Sequence, residues 1–272
     1  MDTLTILGMT VLLAAIGAVA GVMAGLLGVG GGIVLVPAFF YAFAAMGYDS
    51  AQLMQLCLGT SLATIVVTSS RSVMAHNRKG AVNWAILRGW APGIAVGAGL
   101  GVLVVARLRS DVLTAIFGIL AMIVAIYMVF GRARWRLGET MPGGAALAVL
   151  SPGVGFLSVL MGIGGGSFGV PIMTLYGVAI HRAVATAAGF GILIAVPSVI
   201  GFLFVPMPEG GRPPWTVGSV NLAAFLVVIA MTLVTAPMGA ALAHRTDPAR
   251  LKRVFGAFLF LVAANMLYKS VW

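Results

Sequence analysis

Long apolar runs follow one another along this chain, separated by short loops that hold most of its charge. Ten apolar elements can be read, at roughly 4–27, 33–46, 52–74, 84–105, 111–130, 142–160, 167–179, 183–205, 219–243 and 251–270. A run of about 18 or more apolar residues makes a helix long enough to cross a bilayer, and eight of the ten reach that length. Lipid offers the backbone no hydrogen bonds, so a spanning run must close its own as a helix. A water-soluble surface could not be built from the remainder, since 61% of the 272 residues are hydrophobic and only 8% are charged. The expectation is an all-α integral membrane protein with almost no soluble part.

The two short elements, 33–46 and 167–179, each follow three glycines. Residues 28–37 read GVGGGIVLVP, and residues 162–171 read GIGGGSFGVP, 134 positions later. A short apolar element after a glycine break reads as half of a discontinuous or re-entrant helix. Weaker matches extend the repeat. Leu58-Gly59-Thr60 resembles Ala188-Gly189-Phe190, and Ala91-Pro92 resembles Ala236-Pro237. Ala106 through Gly118 lines up with His244 through Gly256. The chain thus divides into a first transmembrane repeat, 1–131, a basic linker, 132–141, and a second repeat, 142–272, forming one transport domain. Five elements per half invert the second half relative to the first. Broken helices at matching places in inverted repeats point to a transporter with a midplane site.

Charge supports that alternation. If the turn holding Arg78 and Lys79 is cytoplasmic, then so are Arg132, Arg134, Arg136, Arg182, Arg245, Arg250, Lys252 and Arg253. Arg107, Arg109, Arg212 and Lys269 fall outside, as do both termini. This satisfies the positive-inside rule. The net charge of +10 therefore reflects membrane orientation rather than nucleic-acid binding. The start, MDTLTILGMT, lacks a positive n-region, so no cleaved signal peptide is expected. No His/Cys spacing suits a metal, and no cofactor is implied.

The six acids, Asp2, Asp49, Asp111, Glu139, Glu209 and Asp247, all fall in loops or at element ends. A cation transporter usually places a carboxylate within the bilayer, so this distribution argues for an anion. A broken helix presents free N–H groups and a positive dipole end. Gly30, Gly31 and Gly32, with Gly164, Gly165, Gly166 and Ser167, could cradle oxyanion oxygens from two sides, or could simply permit tight helix crossing. Thr60 and Ser61, mid-element beside Gly59, could donate to the anion or bond back to their own helix. Arg71 and Arg88 lie within helices but near an interface, where they could snorkel or form an anion-attracting vestibule. Glycines repeating every fourth residue, at 17, 21 and 25 and at 89, 93, 97 and 101, read as packing faces. No catalytic constellation stands out.

The stretches GLLGVGGGIVLVP, GTSL, HNRKGAVNW and MGIGGGSFGVP together resemble the sulfite exporter TauE/SafE family, also called the toluenesulfonate uptake permease family. The resemblance covers essentially the whole chain. It implies a multi-pass permease of the bacterial cytoplasmic (inner) membrane that moves sulfite, organosulfonates or related sulfur anions. The second half departs from the first: Gly189-Phe190-Gly191 stands where the first has Gly59-Thr60-Ser61. Phe190 could meet an organic tail or be core. Partners expected are a small anionic sulfur substrate, the lipid bilayer, a coupling ion (H⁺ or Na⁺) and a second copy of the chain in a homo-oligomer. Two other readings stay open, an anion channel of the same architecture and a membrane enzyme or assembly factor with no transport role.

The orientation is testable. In intact cells a cysteine at Lys79 should resist a membrane-impermeant maleimide, and one at Arg109 should react. The reverse pattern would turn the topology over.

Overall fold

The computed structural model describes residues 3–27, 31–131, 135–208, 211–243 and 248–271. The described residues form ten helices: α1 Thr3–Leu27, α2 Gly32–Ala45, α3 Leu53–Arg78, α4 Trp84–Val105, α5 Ser110–Phe130, α6 Gly144–Leu160, α7 Gly166–Leu175, α8 Ile180–Leu203, α9 Leu222–Ala243 and α10 Pro248–Val271. A small antiparallel hairpin, β1 Thr216–Val217 and β2 Val220–Asn221, lies just before α9. The ten elements read from the sequence are therefore the ten helices, and the fold is an all-α membrane protein.

The differences lie at helix ends. α3 runs on to Arg78 rather than stopping near residue 74. Its close comes at Gly80 (φ +64), where Gly80 N donates to Asn77 O and Ala81 N to His76 O. α7 ends at Leu175, before the expected 179, because a matching turn forms at Gly177 (φ +83). There Gly177 N bonds Thr174 O and Val178 N bonds Met173 O. Six described helices, not eight, are both long and apolar enough to span. The expected span at 142–160 becomes a 17-residue α6. α10 has 24 residues, but its first turn and a half carries Arg250, Lys252 and Arg253.

α3 and α8 form the centre. Every residue of α3 from Leu53 to Ile65 is buried, although this helix carries Gln55, Thr60, Ser61 and Thr64. Around that pair, α1 packs on α9 and α6 packs on α4, while α5 packs on α10, α2 on α3 and α7 on α8. α1, α4, α5 and α9 turn apolar faces outward, with Val19, Leu103, Ile119 and Leu226 more than half exposed. Such faces suit hydrocarbon.

Glycines set the closest approaches, and they do so in matched pairs. A Cβ at Gly118 on α5 would fall 3.2 Å from Ala263 O and 2.7 Å from the Leu267 side chain on α10. One at Gly256 on α10 would fall 3.2 Å from Ala125 O and 2.8 Å from the Val129 side chain on α5. Likewise Gly101 on α4 faces Phe156 O on α6 at 3.2 Å, and Gly239 on α9 faces Val22 O on α1. With no side chain between them, backbones meet directly and dispersion contacts gain where no water can drive association.

This packing separates two glycines of one helix. At Gly97 a Cβ would fall 2.7 Å from Pro152 Cα, whereas at Gly99 it meets nothing within 4 Å. Gly97→Val should destabilise the protein by about 1–3 kcal/mol through overpacking, and Gly99→Val should be close to neutral. Thermal unfolding in detergent checks the pair.

Candidate functional site

The second glycine stretch begins as a helix end. Gly162 has φ +59, so its N–H can reach Val159 O at 2.9 Å while Ile163 N reaches Ser158 O at 2.9 Å. This turn closes α6, and α7 starts only at Gly166. The first stretch opens α2 through Gly31, whose φ is +51 and whose carbonyl accepts from Val34 N at 3.0 Å and Leu35 N at 3.1 Å. Gly30 lies outside the described residues.

The two breaks touch. A Cβ at Gly32 would fall 2.8 Å from Gly162 O and 3.1 Å from Ile163 Cα. Gly164, Gly165, Gly166 and Ser167 are all buried, and the Ser167 hydroxyl has no protein partner. Gly164 sits against Ile65 of α3, while Gly165 sits against Phe190 and Ala187 of α8. Phe190 is fully buried and stacks on Trp90 with ring centroids 5.8 Å apart, which makes it core.

Helix α3 links this junction to open space. Ser61 Oγ donates to Gly162 O at 2.7 Å, Thr64 Oγ1 to Ser61 O at 2.7 Å, and Thr68 Oγ1 to Thr64 O at 3.1 Å. Steps of three and four residues hold these hydroxyls on one face. Continued, the face reaches Arg71 and Ser72 in a cleft of about 340 Å³. α3 supplies Thr68, Arg71, Ser72, Ala75 and His76 to one wall, and the others come from Ala24 and Gly25 of α1 and Thr232, Leu233, Ala236 and Pro237 of α9. Among the described residues the sole ion pair joins Arg109 to Asp111, so no described carboxylate neutralises Arg71.

Comparison with known proteins fixes the lineage. The family model for the sulfite exporter TauE/SafE matches residues 13–266. The chain belongs to that family. Similar proteins include a "Probable membrane transporter protein" of Haemophilus influenzae, 32% identical over 93% of this chain and 96% of the relative. Others so described come from Methanocaldococcus jannaschii, 26% identical over 94% of each chain, and Bacillus subtilis, 23% identical over 96% of this chain and 98% of the relative. No solved structure matches.

Within this TauE/SafE chain the residues singled out from the sequence part into four places. Gly32, Ser61 and Gly164–Ser167 gather at the junction of the breaks. Arg71 stands in the cleft. Arg88 lies on an exposed face of α4 with Ala85 and Gly89, outside the cleft lining. Thr60 points elsewhere again, accepting from Asn221 N at 3.0 Å. A like bond forms at α8, where Thr186 Oγ1 accepts from Asn83 N at 2.9 Å. Each Asn also caps its helix, Asn221 Oδ1 accepting from Ala224 N and Asn83 Oδ1 from Ile86 N.

Thr68, Ser72, His76 and Thr232 were not among the expected site residues. The 61–64–68–72 spacing could have found the first two, because it continues the face that begins at Ser61. His76 falls beyond the expected end of its element at residue 74, but α3 is one turn longer and carries it to the cleft.

The Ser61 bond should be structural. Ser61→Ala leaves a buried carbonyl unpaired and should cost about 1–3 kcal/mol. Ser70→Ala, whose hydroxyl bonds only Val66 O of its own helix, should be nearly neutral. Unfolding midpoints of the two variants measure the difference.

Proposed function

We propose that this chain is a carrier of small sulfur-containing oxyanions, sulfite or organosulfonates, in a bacterial cytoplasmic membrane. It works by alternating access between two inverted repeats. The observation that carries the reading is the Arg71 cleft, whose cation and hydroxyls adjoin the α1 end of the first glycine break. A planar guanidinium matches the oxygens of a sulfonate or sulfite. From there the Ser61–Thr64–Thr68 face leads to the meeting point of the two breaks, where the N-termini of α2 and α7 favour negative charge. Arg71 acts as the attracting cation, and Arg88 snorkels.

The repeat reading is supported by the matched contacts. Positions 138 apart recur in the α5/α10 and α4/α9 pairs, and positions 134 apart in α1 and α6. The bonds to Thr60 and Thr186 favour those two as counterparts, 126 apart, over the Thr60–Phe190 pairing suggested by short sequence matches. The α4/α9 contacts similarly favour Ala98 as the counterpart of Ala236, in place of Ala91.

Arg71→Gln should lower sulfite uptake into proteoliposomes by about tenfold, the loss of one charge-assisted contact, while Arg88→Gln should stay within about twofold of wild type. Equal losses would remove Arg71 from the path. Saturable counterflow in the same vesicles marks a carrier, and unsaturable current marks a channel.

A further inference from the structure

The Arg71 cleft has a counterpart in the other half, and that counterpart is shut. Carrying the cleft lining across by the contact equivalences takes Ala24 to Ser158 on α6 and Ser72 to Ser198 on α8. It takes Thr232 and Ala236 to Ile94 and Ala98 on α4. All four counterparts are fully buried. The helices that carry them are in direct backbone contact. Gly155 of α6 faces Ile94 O and lies 2.9 Å from Ala98 N, measured from the Cβ it lacks. On the same measure Gly201 of α8, the counterpart of Ala75, lies 2.8 Å from Val102 of α4.

One group in this packed region is out of keeping with it. The Ser158 hydroxyl is fully buried and has no hydrogen-bond partner. A buried unpaired hydroxyl is unfavourable and calls for an explanation. Ser198 differs, because its Oγ is turned back to Ile194 O at 2.7 Å.

We propose that α4, α6 and α8 enclose a second anion vestibule, closed in this conformation, and that Ser158 and Ser198 line it when it opens. It lies toward the end of the molecule opposite the Arg78–Lys79 turn, and it opens as the Arg71 cleft closes. This rests on the carrier reading and deepens it by naming the second face. The two vestibules differ in charge. The counterparts of Arg71 and His76 are Pro197 and Phe202, so the second offers hydroxyls without a cation. An anion is drawn in at the Arg71 end and held at the other by neutral donors only.

The test uses single cysteines in the full-length chain with its one native cysteine, Cys57, replaced by alanine. Ser72→Cys reports the first cleft, and Ser158→Cys, Ser198→Cys and Ala98→Cys report the second. Sealed vesicles of both orientations are treated with a membrane-impermeant maleimide, with and without toluenesulfonate. The proposal expects Ser158→Cys or a neighbour to react from the face opposite to Ser72→Cys, with toluenesulfonate shifting the two rates in opposite directions. Reaction from the opposite face with no response to toluenesulfonate still supports the vestibule, and counts against the substrate class. Reaction only from the Ser72 face overturns the vestibule. So does failure of all three second-cleft cysteines to react while Ser72→Cys does.

Discussion

A helix can be interrupted inside a membrane only where protein surrounds the gap. Lipid leaves an exposed N–H or C=O unbonded at a cost of several kcal/mol, so each break demands an enclosing partner. Here α3 and α8 enclose the breaks. Ser61 of α3 satisfies the Gly162 carbonyl, Ile65 covers Gly32 and Gly164, and Phe190 with Ala187 of α8 covers Gly165. That requirement explains why α3, with its buried hydroxyls and glutamine, is more deeply buried than the more apolar α1, α5 and α9. The central helices carry polarity because they serve the backbone of their neighbours, and the outer helices carry apolar faces because they meet lipid.

The same requirement links structure to transport. Once the break ends are enclosed, the N-termini of α2 and α7 favour negative charge. On the proposed reading an anion uses what the fold had to build in any case. On α3 the hydroxyls beside the break, Ser61 and Thr64, are committed to carbonyls, while Ser167 at the start of α7 is without a protein partner. Thr68 is bonded in the same way, so on the proposed reading the first capture of substrate lies farther out, at Arg71 and Ser72, where the cleft is open. The Asn221–Thr60 and Asn83–Thr186 bonds then pin the starts of α9 and α4 to the centre in the same way. On the proposed reading, matched anchors of that kind suit two repeats that move as similar bodies.

Much of the helix plan was legible because apolar runs and glycine punctuation are local signals. α4 matches its expected range, and the short α2 and α7 follow their glycines as read. What was not legible is register between distant helices. Ala91-Pro92 and Ala236-Pro237 look alike as letters, yet the contacts put Gly101 on Phe156 and Gly239 on Val22, and on the proposed repeat reading these align α4 and α9 seven residues differently. Short apolar strings repeat by chance, whereas backbone contact at a glycine does not. The site divided along the same line. The breaks could be seen as a pair, but the separation of Arg71 from Arg88 could not, because it depends on which face of α4 turns toward α8. The hairpin that bonds Thr60 was hidden too, since its strands are two residues long.

The central claim is that the anion is captured in the cleft between α1, α3 and α9 beside the first break. Selenite is a close analogue of sulfite with a strong anomalous signal, so a crystal grown with it would locate the ion directly. The account predicts an anomalous peak in the cleft, within hydrogen-bond reach of the Arg71 guanidinium and the Ser72 hydroxyl. A bound selenite elsewhere in the protein, with that cleft empty, would contradict it.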